Sequence, residues 1–594
     1  IPYTSYNTIM SAAEQRDIVR NPNLIDDHDI PHYGSININN HPNQDLLIQK
    51  RRASSMYSSQ AKNLHLASTS IKDGQYQPID TDIKTEIKML FSSAIPLMIT
   101  FLLQFSLTIS SVFFVGNIGS NELAAVSLSN LLANISSFGL IEGIASSLST
   151  LCPQAYGRKD YKLVGLHSVR CFFMLMILYI PIFIFWNWGA YPLLATVITE
   201  VEPCILAAEY LRILVWSVPG FIVFEVLKLY LQAQGIFHAS TIVLLVCAPL
   251  NFIITYFLVW NETYGIGFKG APLAVVITNT LMALSLLFYA TFINGYQCWC
   301  GWSWDVFRNW SKALKLAGPG VIMIEAEWLA FEIISFASSR FGTEALAAQS
   351  IITTICITVY QIPFSISVAG STRIAWFIGS DSKRAAMTSL RAVIIVAIIF
   401  GIGTGILLAS DREYICGFFS TDEKVVKLAA KVLTIAAVYQ IPDCLACVLG
   451  GVLRGQGRQY IGGYLNLFSY YVLALPVAFF FGFYLEFELF GLWVGLMVAL
   501  CFVSSCELYF VINCDWDKII KDSLDEDLED MDNLRQILEN DGNNSSSRSV
   551  FSDDNESISL RPSRSVASLI DHNLLSPSIN TTLVIPDIPP QLPI

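Results

Sequence analysis

Four acidic residues sit in segments that otherwise read as apolar. Residues 324–332 are Ile-Glu-Ala-Glu-Trp-Leu-Ala-Phe-Glu, which puts Glu325, Glu327 and Glu332 in one stretch; Asp443 lies in another, directly after Pro442. A charge inside a membrane span costs roughly 2.5–3.5 kcal/mol on insertion scales and usually faces an interior path. Glu327 is twelve residues beyond Lys315, about 18 Å along a helix, and Asp443 is twelve beyond Lys431. Both depths are near mid-membrane, where low dielectric disfavours the ionised form of a carboxyl that has no cation beside it. Such a group can hold a proton at one stage and release it at another. The alternative places these acids at a wet crevice or beside a hidden Lys.

Helical geometry limits how many can act together. Glu325 and Glu332 are seven apart and share a face, whereas Glu327 and Glu332 point about 140° apart. All three can line one narrow cavity only if the helix bends. Pro442 removes a backbone hydrogen bond and invites a kink beside Asp443. Elsewhere, Glu142 has no obvious local partner. Glu225 and Lys228 are i, i+3 neighbours, expected to neutralise each other as a structural pair. Gln104 and Asn134 are buried polar groups that could line a cavity or serve as helix-packing glue.

The elements that must position these residues are membrane helices. The chain is 53% hydrophobic and 14% charged, with a mean hydropathy of +0.52, against about a quarter charged in a soluble protein. Twelve apolar spans are predicted, at 90–115, 123–150, 164–187, 205–232, 239–260, 271–293, 315–339, 345–377, 389–409, 428–452, 460–484 and 490–513. The second and eighth are long for one crossing, so tilt or extension is expected. The first 80 residues are polar, without a cleavable signal, so the first span is expected to act as its own insertion signal.

Basic residues set the orientation. The loops after even-numbered spans carry Arg158, Lys159 and Lys162; His238; Arg308 and Lys312; Lys383 and Arg384; Arg454 and Arg458. The opposite loops are poor in Lys and Arg, except the ninth, with Arg412, Lys424 and Lys427. By the positive-inside rule the first set and both termini are cytoplasmic. A sequon at Asn261-Glu-Thr263 falls on the outer side.

The chain also repeats itself. Ala94-Ile-Pro96 returns as Ala317-Gly-Pro319, Gly119-Ser-Asn-Glu-Leu-Ala-Ala-Val-Ser127 as Gly342-Thr-Glu-Ala-Leu-Ala-Ala-Gln-Ser350, and Leu231-Gln-Ala-Gln-Gly235 as Leu453-Arg-Gly-Gln-Gly457, all shifted by 222 or 223 residues. Six spans per copy is an even number, so both copies enter from the same side. Parallel repeats about an axis along the membrane normal follow, with the substrate path between them. The expected domains are a cytoplasmic disordered tail at 1–85, a first lobe at 86–300, a second at 301–514 and a cytoplasmic C-terminal tail at 515–594. The copies are chemically unequal: a shift of 223 puts Glu327 on Gln104 and Asp443 near Gly220 and Phe221, so the second copy holds most of the proton chemistry.

The tails and cysteines carry weaker signals. The net charge of −12 comes largely from the C-terminal tail, where Ile520, Leu524, Leu528, Met531 and Leu534 recur at helical spacing among acids. This helix either docks on the protein's own basic loops or is solvated and partly disordered. Arg51-Arg-Ala-Ser54 resembles a kinase site and Asp571-His-Asn-Leu-Leu575 a sorting signal. Most of the thirteen Cys lie in apolar segments and read as small buried hydrophobes; Cys298-Trp-Cys300 alone is weak evidence for metal.

The motifs Leu-Cys-Pro-Gln-Ala-Tyr-Gly (151–157), Leu-Gln-Ala-Gln-Gly (231–235), Glu-Trp-Leu-Ala-Phe-Glu (327–332), Ala-Ala-Gln-Ser (347–350), Val-Tyr-Gln-Ile-Pro (359–363) and Val-Leu-Arg-Gly-Gln-Gly (452–457) together resemble the multidrug and toxic compound extrusion (MATE) family over roughly residues 85–515. Residues 234–243 and 454–459 look closest to fungal members of the ethionine-resistance type. The resemblance implies an all-α membrane protein of the MOP-superfamily fold, twelve transmembrane helices in two parallel six-helix lobes. It implies a multi-pass antiporter of a vacuolar or plasma membrane that exports small organic solutes or xenobiotics in exchange for H⁺ rather than Na⁺, with no cofactor. Glu327, Glu332 and Asp443 match acidic positions of the family, and Trp328 and Tyr360 match cavity aromatics. Gln349 and the polar Asn134 and Gln104 are expected on the cavity wall with them. Glu325 has no counterpart in the animal pattern. Ser149 stands where an acid is usual, and Glu142, two turns earlier on the same face, is the candidate substitute. Thr354 replaces an acid of animal members, which argues against a preference for strongly cationic substrates.

The expected partners are a small-molecule solute and the bilayer, with no nucleic acid, a monomeric state, and kinase or sorting-adaptor contacts on the tails. Two alternatives stay open. A lipid-precursor flippase of the same superfamily would line its cavity with several Arg, whereas these mid-membrane charges are mostly acidic. A transporter-like sensor would show no flux. The loops carry no metal, nucleophile–base or nucleotide motif, which argues against an enzyme.

Overall fold

In the computed structural model the described residues are 79–525, apart from 117, 198–199, 262–264, 300, 302–303, 308–309 and 421. Arg308, the sequon's Glu262 and Thr263, Cys300, the amphipathic positions Leu528, Met531 and Leu534, and both short tail motifs lie outside them.

The helices follow the apolar spans. We number them α1 (Ile83–Gly116), α2 (Asn121–Gly157), α3 (Tyr161–Thr196), α4 (Val201–Ala233), α5 (His238–Trp260), α6 (Gly267–Ile293), α7 (Ser311–Ser338), α8 (Thr343–Gly379), α9 (Lys383–Ser410), α10 (Glu423–Gly455), α11 (Gln459–Tyr484) and α12 (Glu488–Ile512). Eleven are long and apolar enough to cross a membrane. The other, α7, has 28 residues, about 42 Å of helix, and it is the one whose apolar run Glu325, Glu327 and Glu332 interrupt. As expected, α2 and α8 are the longest, with α3 close behind. α10 runs through Pro442 as one continuous α-helix.

The repeated motifs are helix boundaries. Leu231-Gln-Ala-Gln-Gly235 and Leu453-Arg-Gly-Gln-Gly457 end α4 and α10 in the same way. Gly235 and Gly457 take φ of +80° and +73°, and the next amides, of Ile236 and Arg458, reach back to the carbonyls of Leu231 and Leu453 at 3.0 and 2.9 Å. Glycine fills this position because a left-handed backbone carries no Cβ penalty there. Gly119 and Gly342 precede α2 and α8.

Two apolar cores belong to the two copies, one built from residues between Leu107 and Cys298 and one from residues between Ala330 and Leu500. A third crosses between copies. Leu90, Leu97 and Phe101 of α1 pack there with Ile374 and Phe377 of α8, Val393 of α9, Val452 of α10, and Trp516 and Ile520 of a short helix at 516–525. The halves meet through α1 against α8, and through α2 against α7 and α8. α2 and α7 approach backbone to backbone: a Cβ on Gly143 would stand 2.5 Å from Val321 Cα. Without a hydrophobic force between helices in lipid, small residues at such crossings let dispersion contacts accumulate.

At the end bearing residue 79 and the 516–525 helix, hydrogen bonds tie the copies together. Thr150 Oγ1 donates to the Arg454 carbonyl at 2.5 Å, Gln154 Nε2 to the Gly455 carbonyl at 3.1 Å, and Trp376 Nε1 to the Ala233 carbonyl at 2.8 Å. Gln459 Nε2 reaches the Ser146 carbonyl and Thr150 Oγ1 at 3.3 and 3.2 Å. This is the closed end of the bundle.

Candidate functional site

A cavity of about 530 Å³ lies between the two copies, lined by residues from both. Its charged lining residues are Glu142, Glu225 and Lys228 from the first copy, and Glu327, Glu332, Asp443, Arg454 and Glu507 from the second. Six carboxyls face two cations.

α7 contributes Ile324, Trp328, Phe331 and Ser335 along one stripe, with Glu327 and Glu332 at its two margins. The three-and-four spacing makes this one helix face, and it is wide enough to carry two acids about 140° apart. Glu325 is the correction. It is absent from the lining although it shares a side of the helix with Glu332, because its carboxyl packs on α2, where Gly139 leaves room for it. Its Oε1 accepts no hydrogen bond among the described residues. The close α2–α7 crossing covers this position, and no periodicity argument foresees that.

Gln349 is also displaced from its expected place. It is buried, 1% exposed, and outside the lining. Its Nε2 donates to Ser335 Oγ and Thr353 Oγ1, both at 3.1 Å, and its Oε1 accepts from Trp493 Nε1 at 2.7 Å. With both amide hydrogens and its oxygen engaged, the side chain ties α7, α8 and α12 together away from the cavity. Trp493 in turn stacks on Tyr439, rings 6.1 Å apart at 6°, and Tyr439 lines the cavity.

Gln104, Asn134, Trp328, Tyr360, Glu142 and Asp443 do lie on the cavity wall. Asn134 opens a π-helical segment, Asn134–Phe138, within α2. A wider turn re-aims the side chains after it, and such segments often mark functional positions. After Glu142 the helix tightens, with the Ser147 amide on the Ile144 carbonyl at 3.1 Å and the Ser149 amide on the Ser146 carbonyl at 3.1 Å. Ser149 and Glu142 both line the cavity. Tyr360 stacks on Phe364 at 6.0 Å, Phe364 meets Phe101 of α1 at 4.8 Å, and the Lys228 ammonium lies 5.3 Å from the Phe101 ring. This aromatic chain crosses from one copy to the other and fixes one wall.

Glu225 and Lys228 form the expected pair, Nζ to Oε1 2.7 Å, both nearly fully buried. Local spacing was sufficient to foresee it. Their place on the cavity wall was not foreseen, and Glu225 Oε2 accepts no hydrogen bond among the described residues.

Three functional candidates escaped the sequence. Tyr470, in the π-helical segment Ser469–Ala474 of α11, is 2% exposed and lines the cavity together with Glu327. Arg454 closes α10 and was counted as a loop charge, yet it lines the cavity and donates from Nη2 to Ser367 Oγ at 2.9 Å. Glu507 of α12 is 1% exposed and lines the same space. It stands six residues before that span's predicted end, so depth alone gave no signal. Among the described residues no group of three or more His, Cys, Asp or Glu is placed to hold a metal ion.

The MatE family model matches twice, at residues 96–257 and 319–480, the two copies separated by the same 223 residues as the sequence repeat. A Saccharomyces cerevisiae protein described as an uncharacterized transporter is 42% identical over 437 residues, 74% of this chain and 63% of that protein. An uncharacterized transporter of Schizosaccharomyces pombe is 37% identical over 73% of this chain and 81% of its own length. Human multidrug and toxin extrusion protein 1 is 31% identical over 73% and 76%. The solved structure of the eukaryotic MATE transporter AtDTX14 superposes with a TM-score of 0.71 at 25% identity, covering 75% of this chain and 99% of that one. A twice-matched family repeat covering more than half of the chain, on twelve helices with a cavity between the copies, means that this chain belongs to the MatE family of MATE transporters.

Proposed function

We propose that this protein is a secondary active antiporter that exports small organic solutes from the cytoplasm in exchange for H⁺, by alternating access of one cavity between its two halves. The observation that carries the reading is the cavity itself. It is shared by both halves, bears more carboxyls than cations, and is blocked at one end by hydrogen bonds between the halves. That end also bears Arg158, Lys383, Arg454 and Arg458; in this reading it is the cytoplasmic end, by the positive-inside rule, and the cavity opens on the other side, to the outside or the vacuolar lumen.

In the outward-open state a proton reaches Glu327 on the cavity wall and neutralises it. The cavity then loses negative charge and the solute leaves. When the closed end opens, the acids return their protons to the cytoplasm. The regained charge and the faces of Trp328 and Tyr360 hold the next solute. The test is Glu327→Gln in proteoliposomes. It should reach the membrane and stay folded while losing solute accumulation driven by a pH gradient. Accumulation at the normal level in that variant overturns the assignment. A lipid-precursor flippase is the reading to adopt if lipid-linked probes move and soluble solutes do not.

A further inference from the structure

Beyond Glu327 and Asp443, the lining holds an acid at its closed end that neither the repeat nor the family likeness assigns. Glu507 lies five residues before the end of α12. Its side chain is almost wholly buried, faces the cavity and has an Oε2 that accepts no hydrogen bond among the described residues. Oε1 lies against the glycine faces of two other helices, 3.7 Å from where a Cβ on Gly450 would stand and 3.6 Å from one on Gly462. Those glycines also accommodate the Met323 thioether, so the carboxyl's immediate neighbours are apolar. A carboxylate in such a setting is costly unless it is paired or protonated.

The charged and titratable groups facing it come from three helices. α10 brings Arg454, α7 brings Glu327, and α11 brings Tyr470. Arg454 is the nearby cation, but its Nη2 is used on Ser367, and its own carbonyl is the acceptor of Thr150 at the closed end. One guanidinium is therefore shared by Glu327 and Glu507, on the residue whose backbone ties the two halves together.

We propose that Glu507 is the inner proton station of the second copy, lying between Glu327 and the closed end. While the cavity faces outward, Glu507 is a carboxylic acid. When the Thr150–Arg454 contact parts, its O–H bond breaks, the proton passes to cytoplasmic water, and the carboxylate left behind pairs with Arg454. The inference rests on the antiport reading and adds to it a second proton-carrying position on the same path.

The test counts protons directly and needs no known solute. Purified full-length protein in nanodiscs is moved from mildly alkaline to mildly acidic pH. Proton uptake is read with a soluble pH dye, and the carboxyl C=O stretch by difference infrared spectroscopy. Glu507→Gln should take up about one proton fewer per chain and lose one component of the carboxyl band, and Glu507→Asp should restore both. Unchanged proton uptake and band in Glu507→Gln overturn the proposal. If Glu327→Gln alters both readouts while Glu507→Gln alters neither, only this station fails. If the wild-type chain takes up no protons, the antiport reading fails with it.

Discussion

Glu86 and Arg373, 287 residues apart, form a buried two-pronged ion pair: Nη2 lies 2.5 Å from Oε1 and Nε 3.2 Å from Oε2. Glu86 is fully buried and also accepts from Thr81 Oγ1 at 3.0 Å. The Arg373 guanidinium lies 4.7 Å from the Phe377 ring and 5.5 Å from the Trp376 ring. The pair fastens the start of α1, in the first copy, to α8 of the second. Breaking it from one side strands a buried charge, a cost of about 3–5 kcal/mol. Arg373→Met should therefore lower the melting temperature markedly, and Glu86→Gln combined with Arg373→Met should recover most of the loss. A double-mutant cycle in thermal unfolding checks this; additive losses would contradict it.

The α2–α7 crossing predicts intolerance of a single methyl. At Gly143 the new Cβ meets Val321 Cα at 2.5 Å, and backbone cannot rotate away as a side chain can. Gly143→Ala should cost about 1–3 kcal/mol of stability and slow transport. Gly403, with open space around its Cβ, should accept Ala with little effect. Thermal unfolding of the two variants side by side gives the comparison.

Glu142 shares the wall of the first copy with Ser149 and with the Glu225–Lys228 pair. If it supplies the acid missing at Ser149, Glu142→Gln should lower pH-driven accumulation while leaving the amount of folded protein unchanged. Transport at the wild-type level in this variant refutes the substitution.

The 516–525 helix predicts a gate contact. Ser523 Oγ accepts from Arg158 Nη1 at 3.2 Å and donates to Gln154 Oε1 at 2.8 Å, Asp517 pairs with Lys383 at 2.5 Å, and Trp516 and Ile520 are buried. The helix thus touches α2, the α2–α3 turn and α9 at the closed end. Ser523→Ala combined with Trp516→Ala should loosen that end. A cysteine placed at Ser149 should then react faster with an impermeant maleimide added from that side, as read by peptide mass spectrometry. An unchanged labelling rate would show that the helix is not needed for closure.

The boundary between what was legible and what was not runs through individual residues. The twelve spans, the duplication, the place of Glu327 and Asp443 well inside their helices and the Glu225–Lys228 pair could all be read from the chain. Each depends on local spacing: apolar run length, a constant shift, residues counted from a flanking Lys, an i, i+3 separation. Packing decided the rest. Glu325 and Glu332 share a side of α7, yet only Glu332 reaches the cavity, because Gly139 of α2 receives Glu325. Gln349 is used up by Ser335, Thr353 and Trp493 from three directions. Arg454 and Glu507 belong to helix ends, and they matter because the cavity reaches down to those ends between the two copies. A sequence fixes which residues share a helix face and how deep they lie, since both follow from the period and rise of one helix. Which face meets the cavity depends on the neighbouring helices, and only the tertiary structure holds that.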